Sequence, residues 1–300
     1  LLGITVFLVI ASFSIVRLIP GDPAVKIAGL AANGATIEKL KEQLGLNRSY
    51  TGQFEHYISG LFSGDFGKSF QTGQPVSSVI VQNAGFSLRL AGASLLVVFV
   101  FGGAGGLLAA HFTRDSRHRG VDLAFTGVTG VVGAVPDYLL ATVLTAIFAV
   151  WFRLLPVSGT GWEGIILPIL ALAIPTGALL MRVVRAETLN VLSQDYVRAA
   201  EAKRLPTFLI YRRHVIPNVV TGALTIAGIL FSTLIGGAVV VENVFARPGL
   251  GSVVVNAVTV GDYPVIQIVI LVLGITVAVV NTVVDITLGL LDPRSQVRQA

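Results

Sequence analysis

Residues 86–111 read FSLRLAGASLLVVFVFGGAGGLLAAH, an apolar run interrupted by one charge, Arg89. A bilayer core about 30 Å thick is crossed by roughly 20 such residues in a helix. Five more runs of this kind lie at residues 1–19, 121–152, 165–184, 219–241 and 265–291. The run at 121–152 is long enough to hold a tilted helix plus an interfacial end. The pattern predicts an all-α integral membrane chain with six transmembrane helices. No small-x-small cleavage site follows residues 1–19, so that run reads as a span rather than a removed signal.

Composition points the same way. The 300 residues are 54% hydrophobic and 12% charged, with a mean hydropathy of +0.82. A soluble domain carries about 25% charged residues, whereas lipid-facing helices need none. The 33 glycines suit membrane helices, and the patches at 102–106 and 127–133 permit close helix packing. A net charge of +5 does not imply nucleic acid, because the basic residues sit at the ends of the apolar runs instead of forming one stripe. Cysteine is absent, which excludes disulfides, thiolate metal sites and cysteine nucleophiles. His56, His111, His118 and His214 are dispersed without metal-ligand spacing. There is neither a G-x-S-x-G elbow nor a G-x-x-x-x-G-K-[ST] phosphate loop, so no catalytic, cofactor or metal residue is assigned.

Charge asymmetry sets the expected orientation. Arg114, Arg117 and Arg119 fall in one loop, and Arg185, Arg198, Lys203, Arg204, Arg212 and Arg213 fall in residues 185–217. Arg294 and Arg298 fall in the tail, residues 292–300. With six spans all three lie on one side, which the positive-inside rule makes cytoplasmic together with both termini. The other side receives residues 20–85, 151–163 and 242–264, where Asp22, Glu38, Glu42, Glu55, Asp65 and Asp262 are found. The expected organisation is a first helix at 1–19, an external loop domain at 20–85, a five-helix core at 86–291 and the tail. Within the loop, residues 36–46 read as an amphipathic helix with Ile37, Leu40 and Leu44 on one face. Thr36 is placed to cap its start and Gly45 to end it.

The most informative polar stretch is SQDYVRAAEAKRLPTFLIYRRHVIPN, residues 193–218. Ser193 or Asp195 suits a helix start, and good helix formers run from Tyr196 to Lys203. Pro206 interrupts, a second short helix runs toward His214, and Pro217 restarts the chain into the fifth span. The small residues Ala199, Ala200 and Ala202, ringed by Arg198, Lys203 and Arg204, admit close approach by a soluble partner. A basic loop lying on anionic lipid is the plainer reading.

This stretch resembles the coupling loop of ATP-binding-cassette importer permeases, glutamate-alanine-alanine, three residues, glycine, then a later proline. Arg198, Ala199 and Ala200 fill the triplet, Arg204 stands at the glycine, and Ile216-Pro217 closes the pattern. Arginine at that glycine avoids strain only with a negative φ. RLIPGDP at 17–23, LGLNRSYTGQFEHYISGLFSGDFGKSF at 44–70, VENVFARPGLGSVVVNAVTVGDYPVIQ at 241–267 and LLDPRSQ at 290–296 resemble, in order, the B-type subunit of the dipeptide, oligopeptide and nickel permease family.

The resemblance implies a second homologous permease, two cytoplasmic ATPase domains that carry ATP and Mg²⁺, and an external substrate-binding protein. It also implies a coupling role for Asp195, Tyr196, Arg198, Ala199, Ala200, Lys203 and Arg204. Peptides are the family's broadest substrate class, with nickel chelates and haem as alternatives. Ionisable residues in or near spans are the candidates for the substrate path: Arg89, Asp137 and Asp285, with Glu242 and Asp262 on the external side. A secondary transporter driven by an ion gradient would instead show inverted repeats, and no such repeat is visible.

Overall fold

The structure, a computed structural model, describes residues 1–19, 21–28, 33–114, 119–157 and 161–291. Arg117, His118 and the tail with Arg294 and Arg298 lie outside the described residues. In chain order the helices are α1 (Leu2–Ile15), α2 (Pro23–Ala28), α3 (Gly34–Gln43), α4 (Tyr50–Ser63), α5 (Val76–Val97), α6 (Gly103–Thr113), α7 (Arg119–Ala134) and α8 (Asp137–Leu144). They continue as α9 (Glu163–Leu192), α10 (Asp195–Ala202), α11 (Thr207–Ile210), α12 (Ile216–Thr225), α13 (Ala227–Val244), α14 (Leu250–Val260) and α15 (Tyr263–Leu291). Among the described residues no strand forms; one isolated bridge joins Lys68 and Pro75. The fold class is therefore the all-α membrane class that the apolar runs predict.

The six expected spans take three forms. Four helical stretches are long and apolar enough to cross a bilayer: Val76–Thr113, Glu163–Leu192, Ala227–Val244 and Tyr263–Leu290. Leu2–Leu18 is apolar but shorter, about 25 Å long at 1.5 Å per residue. The run at 121–152 differs from the expected tilted helix: Arg119–Ala134 and Asp137–Trp151 meet at 97°. Pro136 explains the break, because it has no N–H for the ladder and its ring excludes the carbonyl four residues back. Its ψ of 140° turns the chain out of the helix before Asp137 restarts it.

Two further boundaries shift. α5 begins ten residues ahead of the apolar run, after Pro75, because hydropathy marks the part of a helix that lipid can hold and not the helix itself. The run at 219–241 divides at Ile226 into α12 and α13. Thr225 Oγ1 donates back to the Thr221 carbonyl at this end, a bond that bends helices.

The chain divides into two compact units, the first comprising residues 1–88 and 246–279. Here Val16, Val76, Leu250, Ile266 and Val269 form a core. Phe13 of α1 packs against the rings of Tyr50, Phe54 and Tyr57 on α4, and Ser12 Oγ hydrogen-bonds Tyr57 Oη at 2.8 Å. The Arg17 guanidinium stacks over Phe13 and Tyr50, 4.0 and 3.7 Å from their centroids, and donates to Gln53 Oε1. α3 spans Gly34–Gln43, two residues earlier than expected at its start, because Asn33 caps it by accepting from Thr36 N at 2.8 Å. Gly45 ends this turn with φ +67°.

The second unit comprises residues 89–245 and those from 280 onward. α9 runs through its middle, 30 residues long, and stays helical across Pro168 and Pro175. Membrane helices tolerate such prolines where neighbours satisfy the freed carbonyls. α6 lies against α9 through glycine: a Cβ on Gly106 would stand 2.6 Å from Val184 Cβ and 2.7 Å from the Met181 carbonyl oxygen. Gly127 and Gly130 of the other expected packing patch have nothing within 4 Å.

Candidate functional site

The stretch between α9 and α12 folds as an elbow of two short helices. α10 starts at Asp195 with Gln194 as its cap and no side-chain capping bond. Ser193, expected at this start, donates instead to the Asn190 carbonyl at 2.7 Å and finishes α9. Asp195 occupies the first turn, where a carboxylate complements the helix dipole. At the other end Arg204 N–H donates to Glu201 O at 2.8 Å and Leu205 N–H to Ala200 O at 3.3 Å. This pair of bonds is a Schellman motif. It places Arg204 in the left-handed region with φ +55°, so the arginine takes the glycine's backbone with strain and not the negative φ that would avoid it.

Beyond Pro206, α11 does not stop for Pro217. A π-turn over Tyr211–Val215 carries it directly into α12. The wider turn moves the carbonyl that the proline ring would strike, a use of π-geometry that lets a helix continue across proline.

Burial sorts the residues of the elbow. Val197 is fully buried and Ala200 is 6% exposed, both in the core with Leu180, Val184, Ile210 and Val215. Ala200 is therefore small for internal packing, not for a partner. Asp195, Tyr196, Arg198, Ala199, Ala202, Lys203 and Arg204 remain exposed. Arg198 reaches Asp195 at 3.7 Å, an exposed pair that adds little. Phe208, in the first turn of α11, is 73% exposed; an aromatic two residues after a proline that starts a helix is the signal for it in sequence.

The elbow is tied to the spans at several points. Arg114, at the end of α6, holds Glu201 through two bonds of 2.6 and 3.1 Å. That contact lowers the Glu201 carboxyl below its ordinary pKa. His111 meets Tyr211 at 3.4 Å. Arg185 of α9 binds Thr113 Oγ1 at 3.1 Å, pairs with Asp122 of α7 and lies 5.4 Å from the Phe125 ring.

Asp137, at the first position of α8, lines a cavity of about 420 Å³ together with Thr129, Pro136, Thr176, Arg182 and Thr233. Arg182 is not among the sequence-based candidates, although a charge near the end of the run at 165–184 is readable there. Arg89 and Asp285 lie exposed on α5 and α15, away from that cavity's lining.

Glu242 and Asp262, expected on the external side, are both buried in this chain. Glu242 is fully buried near the end of α13. Asp262 is 3% exposed, and its carboxylate accepts from Ser69 Oγ, from Phe70 N at 3.0 Å and from Gln71 N at 3.4 Å. It fixes the turn before α5, because buried carboxylates must be hydrogen-bonded.

A family profile described as "Binding-protein-dependent transport system inner membrane component" matches residues 102–297, and the corresponding N-terminal profile matches residues 1–91. A putative peptide transport system permease protein of Brucella abortus is 35% identical over 304 residues, covering 97% of this chain and 95% of that protein. The glutathione transport system permease protein of Escherichia coli is 38% identical over 298 residues, covering 98% and 96%. With a lipid-length helical core, a cross-tied basic elbow and matches along almost its whole length, the chain belongs to the family of binding-protein-dependent transport system inner-membrane components, the permeases of ATP-binding-cassette importers.

Proposed function

We propose that this permease carries short peptides inward and that α10, with the head of α11, receives the push of a cytoplasmic ATPase. The full-length similarity to peptide and glutathione permeases supports the substrate class. The observation that carries the coupling role is the sorting of α10: one face packed through Val197 and Ala200, the other exposed through Tyr196, Arg198, Ala199 and Lys203. Two exposed aromatics, Tyr196 and Phe208, and an exposed small alanine are the composition of an interface anchor.

On this reading the basic elbow and both termini are cytoplasmic. A second homologous permease completes the pathway, and an external binding protein delivers substrate. ATP and Mg²⁺ act on the two ATPase domains, whose closure favours one of two arrangements of the spans. Arg114–Glu201 and His111–Tyr211 pass that motion from the elbow to α6, and Arg185 passes it on to α7 and α9.

The test uses the complete complex in proteoliposomes. Ala199→Trp should reduce uptake per ATP hydrolysed at least tenfold in an assembled complex. Ala200→Trp should instead reduce the yield of folded chain, since overpacking a core costs about 1–3 kcal/mol. Wild-type coupling in an assembled Ala199→Trp complex would remove the elbow from the coupling role.

A further inference from the structure

Two opposite charges line the cavity of the second unit without meeting. Asp137 and Arg182 both face it, yet neither makes an ion pair or a side-chain hydrogen bond among the described residues. Opposite charges attract strongly where water is scarce, and ionisable side chains within spans pair when they can reach each other. Their helices hold these two apart.

Depth explains the separation. A Cβ added to Gly237 would touch both Asp137 and Leu172, so the carboxylate sits beside Leu172 of α9. Arg182 lies ten residues further along the same helix, an axial offset of about 15 Å at 1.5 Å per residue. The Leu172 side chain leans toward the helix N-terminus as the Arg182 side chain does, so most of that offset separates the two charges. Less about 2.8 Å for an ionic contact at each end, roughly 10 Å remains, the length of three extended residues at about 3.5 Å each. Thr129, Thr176 and Thr233 line the same cavity. Thr129 and Thr233 donate to the Phe125 and Ile229 carbonyls, which leaves hydroxyl lone pairs to accept from a peptide N–H.

We propose that Asp137 and Arg182 form a two-ended contact for a zwitterionic peptide of about three residues, Asp137 receiving its ammonium and Arg182 its carboxylate. This rests on the reading of the chain as a peptide permease. A longer peptide cannot satisfy both charges in extended form, and a ligand carrying one sign of charge leaves the other residue unpaired. The site therefore favours short peptides with both ends free.

The test measures binding of labelled trialanine to the solubilised complex without its binding protein, and ATP-driven uptake in proteoliposomes with it. In the binding assay, Asp137→Asn should weaken trialanine about tenfold. N-acetyl-trialanine should be weakened as much with the wild type and no further with the variant. Arg182→Gln and trialanine amide should behave in the same way at the other end, while Asp137→Glu and Arg182→Lys keep most of the affinity. Such non-additivity is the signature of a direct contact. A carboxylate that merely completes the start of α8, or an arginine that merely reaches for the interface, would leave the two effects additive.

Additive effects, or blocked peptides binding the wild type as well as trialanine does, would overturn the proposal even if a variant failed to fold. A complex that takes up peptide at wild-type rates with Asp137→Asn and Arg182→Gln overturns this site alone. A complex that takes up no peptide of any length overturns the substrate reading beneath it.

Discussion

Arg204 shows how far a single position could be read in advance. Its place in the coupling pattern is legible, and so is the consequence that only a positive φ brings strain. The sign of φ is not legible, because the Schellman bonds that impose it depend on where α10 ends. A left-handed backbone costs a non-glycine residue about 1–2 kcal/mol, and glycine's freedom in the unfolded chain returns about 0.4–1 kcal/mol. Arg204→Gly should therefore stabilise the complex by about 0.5–1 kcal/mol in detergent unfolding, while Arg204→Ala, which keeps the Cβ, should be nearly neutral. The adjacent pair behaves differently. Glu201 titrates below its ordinary value beside Arg114, so its contribution is complete above the unfolded carboxyl pKa and is lost as pH falls through the depressed one. The two side chains are 30% and 37% exposed, which limits the pair to about 0.2–1 kcal/mol. Unfolding of Glu201→Gln against wild type should show that difference at pH 7 and its disappearance in the acid range.

At the scale of elements, apolar run length marked the four helices long enough to cross a bilayer, and the glycine patches indicated close packing. They did not indicate which patch packs within the chain. Gly102–Gly106 does so because α6 and α9 approach until Gly106 meets Val184 and the Met181 carbonyl, whereas Gly127 and Gly130 meet nothing. The broken span is a similar case. Pro136 stands in the sequence, but membrane helices bear prolines routinely, and Pro168 and Pro175 lie inside an unbroken α9. Run length cannot distinguish a proline that bends a helix from one that does not. The packing difference can be measured directly. Gly106→Ala should lower stability by about 1–3 kcal/mol, the cost of overpacking. Gly103→Ala, with nothing within 4 Å of its added Cβ, should be neutral or gain up to about 1 kcal/mol from helix propensity.

For the whole molecule, class and family were legible because low charge and lipid-length runs are global properties that no single contact can reverse. The settings of Asp262 and Arg182 were not, since each depends on a neighbour distant in sequence: Ser69, bonded to the first, and Asp137, which lines the same cavity as the second. The proposed orientation rests on the distribution of arginine and lysine alone, and the absence of cysteine makes it directly testable. Lys203→Cys lies on the exposed face of the elbow and Lys39→Cys on the exposed face of α3. In intact cells an impermeant maleimide should label Lys39→Cys and leave Lys203→Cys unmodified until the membrane is opened. The reverse pattern would place the elbow outside, where no ATP-driven partner could reach it, and the coupling role of α10 would fall with the orientation.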